Sequence, residues 1–177
     1  MFLYLAMIDS DADKSKFEIL YSEYKNLMYY TANHILRNSN DAEDVVHQAF
    51  LKVIEILDTI SSPRCHKTRA LLVTITEHKA IDLYREKQRR NVLPLAEEYI
   101  GAAPAAEIER LAARDTLAAA IASLPPRYRS VLLLRYDCGY SNAEIANILD
   151  TTEPNVRKLI QRAKEKLSAA LSGMEET

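Results

Sequence analysis

Apolar positions recur with the 3.6-residue period of a helix along most of the first half of the chain. Ala42, Val45, Val46, Ala49, Phe50, Val53, Ile54 and Leu57 follow one another at alternating steps of three and four, which makes one apolar stripe along about four turns. Asn40 stands ahead of that stripe with Glu43 three positions on, a pattern that predicts an N-cap and a capping box. Upstream, Phe17, Leu20, Tyr21, Tyr24, Leu27, Met28, Ile35 and Leu36 predict one or two helices between Lys14 and Leu36 packed against it. Ser61-Ser62-Pro63 ends the pattern, because a residue before proline is pushed out of the helical region. A basic loop of about seven residues follows, and a further helix is predicted from Thr68 to Arg90. At 100° per residue, His78, Asp82, Arg85 and Arg89 fall within about 60° of one another, while Val73, Ala80 and Tyr84 face the other way. One side of this helix is thus polar and largely cationic, and Tyr84 is assigned to the core side.

Between Asn91 and Glu107 the periodicity stops. Pro94, Gly101, Pro104 and a run of alanines with Glu97 and Glu98 predict a flexible acidic linker, so the chain is divided into a domain at 1–91, a linker at 92–107 and a second domain at 108–177. Periodicity resumes with Ile108, Leu111, Leu117, Ile121 and Leu124, then Pro125-Pro126 and the apolar run Val131 to Leu134. Ser141 and Glu144 form a second capping signature ahead of Ile145, Ile148 and Leu149. After the short turn Asp150-Thr151, Thr152 is the predicted cap of a last helix with Pro154 in its first turn. That helix is expected to bury Val156, Leu159, Ile160, Ala163 and Leu167.

Two helices joined by so short a turn, with the small Ala146 in the first and Val156 early in the second, match a helix-turn-helix. The small residue lets the second helix cross closely, and polar side chains near its N-terminus can then reach base edges in the major groove. Asn155, Lys158, Gln161 and Arg162 suit base edges, whereas Arg157 and Lys164 lie where phosphates run. Asp150 stands where such turns usually hold glycine, and Asp tolerates the left-handed conformation better than most residues.

Composition sharpens this outline. A length of 177 residues suits two small domains, and 48% apolar with 27% charged residues is enough for buried cores. Only three glycines occur, which favours an all-α fold over a turn-rich β architecture. Neither Gly-rich phosphate-loop motif can be assembled from Gly101, Gly139 and Gly173. Cys65 and Cys138 stand far apart with no paired cysteine motif, so no disulfide framework or thiolate metal site is expected, and a reducing cytoplasm fits. The opening apolar run, Met1 to Ile8, lacks a basic leader and falls short of the about 20 residues of a membrane span. No membrane insertion is expected.

The net charge of −2 argues against a free-standing nucleic-acid binder, but the distribution is uneven. Residues 1–62 hold ten acids against five bases, residues 63–90 eight bases against three acids, and residues 154–166 five bases against Glu165 alone. The sign of the charge inverts within the first domain, and there are two basic segments far apart in sequence.

Four segments, in order, resemble the extracytoplasmic-function subfamily of the sigma-70 type RNA polymerase sigma factors, and the likeness runs over nearly the whole chain. Asp41-Ala42-Glu43-Asp44-Val45-Val46-His47-Gln48-Ala49-Phe50-Leu51-Lys52 resembles the helix by which that family docks on the coiled coil of the largest polymerase subunit. Ile75-Thr76-Glu77-His78-Lys79-Ala80-Ile81-Asp82-Leu83-Tyr84-Arg85 resembles its minus-10 helix. Leu124-Pro125-Pro126-Arg127-Tyr128-Arg129-Ser130-Val131 resembles the opening of its fourth conserved region, and Ser141 to Lys166 its minus-35 reader. Leu71 and His78 depart from the family, which usually has Trp and often Asn at these places.

The resemblance implies a non-enzymatic initiation factor with core RNA polymerase, through its beta and beta-prime subunits, and promoter DNA as partners. It implies polymerase contacts at Asp41, Asp44, Val45, Gln48, Phe50 and Leu51. It also implies minus-10 contacts at Arg64, Lys67, Arg69, His78, Lys79, Asp82, Arg85 and Arg89, with the loop Ser61 to Ala70 lining a pocket for an extruded base. The minus-35 contacts are Asn155, Arg157, Lys158, Gln161, Arg162 and Lys164. An anti-sigma protein is a further partner the resemblance suggests.

Rival readings are weaker. Asp44-x-x-His47 has the carboxylate–histidine spacing of di-iron bundles, but no second copy exists and His34, His66 and His78 do not complete it. Neither a metal nor any other cofactor is expected. A stand-alone dimeric helix-turn-helix regulator would carry a ligand or receiver domain in front, and the first half lacks the alternating strand and helix pattern of a receiver. A helical adaptor, or a sequestering antagonist of a sigma factor, would leave both basic faces without a role.

Overall fold

A computed structural model of the chain describes residues 2–90 and 116–175; the linker predicted at 92–107, with Ile108 and Leu111, lies outside them. The chain divides into two compact units, Met1–Leu95 and Ala96–Thr177. Every regular element among the described residues is helical, as the scarcity of glycine and the helical periodicity predict.

The first unit comprises α1 (Phe2–Leu5), α2 (Asp11–Leu36), α3 (Ser39–Glu55), a short 3₁₀ turn (Leu57–Thr59) and α4 (His66–Arg90). Ser10 caps α2 by accepting the Asp13 N–H, with Asp11 and Asp13 in the first turn, where carboxylates meet the positive end of the helix dipole. The segment predicted as one or two helices is a single one. It ends at Arg37, which takes a left-handed φ of 51° and donates its N–H to the Asn33 carbonyl at 2.8 Å.

That reversal moves the start of α3. The cap is Asn38, not Asn40: its backbone is extended and its side chain accepts the Asp41 N–H at 3.1 Å. Asn38, Ser39 and Asn40 are all competent caps, and the left-handed residue just before Asn38 decides among them. The start of α4 also differs from expectation. Helix begins at His66, with the Cys65 sulfur taking the Thr68 N–H at 3.4 Å, so Lys67 and Arg69 stand on its first turn and not in a loop.

Helices α2, α3 and α4 pack pairwise around one core. Phe17, Leu20 and Met28 from α2, Val45, Ala49, Phe50 and Val53 from α3, and Leu71, Leu72 and Ile75 from α4 are enclosed. Phe50 sits at the centre of an aromatic cluster, its ring centroid 4.9 Å from Tyr21, 5.7 Å from Phe17 and 5.9 Å from Tyr4. Tyr4 ties α1 onto the bundle, a contact the sequence pattern does not announce. The enclosure corrects two expectations: Val45 and Phe50, assigned to polymerase contact, are 0% exposed. They hold α3 in place.

The second unit holds α5 (Thr116–Ser123), α6 (Pro126–Leu132), a π-helical turn (Leu133–Asp137), α7 (Asn142–Ile148) and α8 (Glu153–Glu175). Pro126 opens α6, where its missing N–H is no loss. The capping box at α7 is complete in both directions: Glu144 N–H to Ser141 Oγ is 3.2 Å, and Ser141 N–H to Glu144 Oε2 is 2.7 Å. That hydrogen bonding holds the Glu144 carboxyl below its ordinary pKa. Helix α8 packs against α5, α6 and α7 and buries Val156, Leu159 and Ala163, while Ile160 and Leu167 are only half-buried.

Phe50→Ala is expected to destabilise the first unit by about 3–5 kcal/mol, read as a lowered urea midpoint by far-ultraviolet circular dichroism. Ser141→Ala should cost the second unit about 1 kcal/mol in the same measurement.

Candidate nucleic-acid interface

With Ala42, Val45, Val46, Ala49, Phe50 and Val53 turned inward, the helical repeat places Asp41, Asp44, Gln48 and Leu51 within about 80° of one another on the outer face of α3. Asp44 and Gln48 are exposed and Leu51 is half-buried. Asp41 is more enclosed, because the Lys87 ammonium at the far end of α4 sits 2.5 Å from both of its carboxylate oxygens. His47, at the edge of this face, shares a 2.6 Å hydrogen bond with the Tyr4 hydroxyl through Nδ1. Lys52 is 5% exposed and reaches Glu55 at 2.9 Å; a buried ammonium needs such a partner.

The eight residues assigned to minus-10 contact do not form one group. On α4, Lys67, His78, Asp82, Arg85 and Arg89 share a stripe about 60° wide, Lys79 stands about 60° beyond its edge, and Arg69 points to the opposite side. Lys67 and Arg89 are separated by about 33 Å along the helix axis, and between Lys67 and His78 the same phase is held by Leu71, which is enclosed, so the continuous solvent-facing part of the stripe runs from His78 to Arg89. Asp82 and Arg89 are exposed, while His78, Lys79 and Arg85 are half-buried.

A separate cluster forms where the approach to α4 meets α2. Arg64 Nη2 is 3.0 Å from Glu23 Oε1, and its Nε donates to the same oxygen at 3.1 Å. Burial raises the pKa of the nearby Tyr24 hydroxyl, with Cys65 and Glu23 adding to it and Arg69 and Arg64 opposing it. Hydrogen bonding with the Thr68 hydroxyl, then with its N–H, holds the Cys65 thiol below its ordinary pKa. Glu23 and Cys65 escape a reading based on apolar period and basic clusters, since neither belongs to such a pattern. Leu71, at the position where a Trp is usual, is 1% exposed and belongs to the core.

In the second unit, Asp150 takes a left-handed φ of 47°, which is how the turn between α7 and α8 does without glycine. Asn155 is half-buried and its Nδ2 donates to Thr151 Oγ1 at 2.8 Å, so it braces the turn. Lys158, Gln161, Arg162 and Lys164 are exposed along α8. Gln161 donates to Glu165 at 3.2 Å, and Arg157 pairs with Glu153 at 2.5 Å. The Lys164 ammonium lies 5.3 Å from the centre of the Tyr136 ring, a contact the charge pattern alone does not reveal. Among the described residues, no three His, Cys, Asp or Glu side chains gather as a metal site, and no helix is long and apolar enough to cross a membrane.

The family profile "Sigma-70 region 2" matches residues 20–90, and "Sigma-70, region 4" matches residues 114–167. The ECF RNA polymerase sigma factor SigW of Bacillus subtilis is 26% identical over 171 residues, covering 90% of each chain. SigL of Mycobacterium tuberculosis, of the same description, is 28% identical over 162 residues, covering 90% of this chain and 91% of its own. A solved structure described as CnrH in complex with the cytosolic domain of CnrY aligns over 89% of this chain at 27% identity with a TM-score of 0.39. With the two sigma-70 regions in this order and relatives matched along nearly their full length, the chain belongs to the sigma-70 family of RNA polymerase sigma factors, in its extracytoplasmic-function subfamily.

Proposed function

We propose that this sigma factor docks on core RNA polymerase through the outer stripe of α3 and carries its two cationic helices to the two promoter elements. The observation that supports this most directly is the sorting of charge in the first unit. Asp44 and Gln48 face outward on α3, beside a half-buried Leu51, while α4 carries a cationic stripe ending in Arg85 and Arg89. An acidic outer face suits a cationic protein surface, and a basic helix suits phosphates.

In this reading Lys67, His78, Asp82, Arg85 and Arg89 follow one unpaired strand of the minus-10 element, with Lys79 at its edge. Arg64 and Arg69 belong to a second contact region next to α2. Arg162, Lys158 and Gln161 read base edges of the minus-35 element in the major groove, and Lys164 and Arg157 hold phosphates. Asn155 supports the turn that aims them. The chain performs no bond chemistry of its own; the polymerase does. It works in the cytoplasm, where the polymerase is, and an anti-sigma protein that occupies the same faces is part of the proposal, resting on family resemblance.

The decisive experiment is in vitro transcription with core polymerase on a genomic template library, followed by sequencing of transcript starts. Defined starts that share two spaced elements are expected, whereas undirected initiation overturns the reading. Asp44→Lys should weaken association with core polymerase roughly tenfold, about 1.4 kcal/mol, in a fluorescence binding assay. Arg162→Ala should lower affinity of the holoenzyme for the upstream element by about 1–3 kcal/mol, with relaxed preference at one base position.

A further inference from the structure

The opening segment of the chain reads Met1-Phe2-Leu3-Tyr4-Leu5-Ala6-Met7-Ile8, and neither the docking face nor the promoter-reading helices account for it. Apart from the Tyr4 hydroxyl it carries no polar side-chain group. Tyr4 and Ile8 are buried in the bundle, whereas Leu3 and Met7 are 68% and 56% exposed and Ala6 is exposed with them. A helical segment that is apolar all round belongs in a setting that covers it all round, so the outer side of this one calls for a partner. Building on the docking reading above, we propose that Leu3, Ala6 and Met7 form a second part of the polymerase-docking surface, an apolar rim beside the acidic face of α3.

Continuity with that face supports the rim. The Tyr4 ring lies 5.3 Å from the His47 ring and shares the 2.6 Å hydrogen bond with its Nδ1. Phe17, Tyr21 and Phe50 surround the same tyrosine at centroid distances of 5.4, 5.9 and 5.9 Å. Several contacts therefore hold the segment at the flank of α3 that carries His47. At 100° per residue, Leu51 and Asp44 lie about 40° and 60° from His47 on α3, closer to it than Gln48 or Asp41. Leu51, the apolar and half-buried member of the outer face, is thus on the flank turned towards α1.

Charge selects the same occupant. Asp9, Asp11 and Asp13 follow directly on the segment, and no Lys or Arg precedes Lys14. Asp11 and Asp13 pair with Lys14 and Lys16 at 3.1 Å each, in partly solvated contacts that contribute little and exchange readily. An apolar patch bordered by carboxylates suits a protein surface that mixes apolar with cationic side chains, the chemistry Asp44 also calls for, and opposes the anionic surface of a membrane. A second copy of the chain would set these carboxylates against themselves. Three side chains also fall far short of the roughly 20 residues a side of a free-standing interface, but they suffice as the rim of a larger one.

The test uses the full-length chain and core polymerase. Leu3→Ser/Met7→Ser should weaken their association about tenfold in the fluorescence binding assay, with the urea midpoint of the first unit unchanged, since both side chains already face water. Tyr30→Ser, which removes a side chain of similar exposure, 71%, from α2, should leave association as it is. A photo-crosslinking benzophenone amino acid in place of Leu3 should capture the same polymerase subunit as one in place of Gln48. Wild-type affinity in Leu3→Ser/Met7→Ser, or capture from position 3 of nothing but a second copy of the chain, overturns the rim; Asp44→Lys still weakens association in that case, and the docking reading stands. If Asp44→Lys also binds as the wild type does and neither crosslinker captures polymerase, the docking reading itself fails and the rim with it.

Discussion

The enclosure of Phe50 by Phe17, Tyr21 and Tyr4 is the contact on which the first unit turns. A Phe side chain is large enough that leaving its site empty costs several kcal/mol, comparable to a substantial part of a domain's net stability. Its burial sets the rotation of α3 about its own axis. Once Phe50 and Val45 point inward, Asp44 and Gln48 have no choice but to point out, and the polar outer face of α3 follows from a packing requirement.

Charge in this chain is sorted by element, but it is not left idle. Arg64 rests on Glu23, Lys87 on Asp41, Arg90 on Glu86 and Arg157 on Glu153. Each pair is at least partly solvated, so each is cheap to exchange for a phosphate or for a residue of another protein. A small net negative charge thereby coexists with two basic surfaces. In the free chain these internal partners reduce the field around the two basic surfaces.

Two of the described turns are made without the usual residue. Gly139 takes a positive φ of 83°, but Arg37 and Asp150 adopt the left-handed region as well, at a cost of roughly 1–2 kcal/mol for an ordinary side chain. Asp150 lowers that cost because a short polar side chain can satisfy nearby backbone groups. Arg37 is retained because its N–H closes α2 on Asn33 while turning the chain into the Asn38 cap. Both positions are where one helix must hand over directly to the next.

Periodicity alone identified most of the helices, the helix-turn-helix, the Ser141–Glu144 capping box and the basic stripe of α4, because each of these is a local pattern of three- and four-residue steps that any partner would have to respect. The order of motifs along the chain carried the family as well. The choice of Asn38 over Asn40 and the start of α4 at His66 left no mark in the apolar period, whereas the enclosure of Val45 and Phe50 was already written in the stripe they share with Ala42, Val46 and Ala49. What else stayed hidden depended on residues far apart in sequence. The pairings of Arg64 with Glu23 and of Lys87 with Asp41 are of this kind, since opposite charges more than forty residues apart leave no periodic trace. Local propensity and helical phase are written in the sequence; which neighbour an apolar face meets, and which charge finds its counter-charge, is decided only when the chain closes on itself.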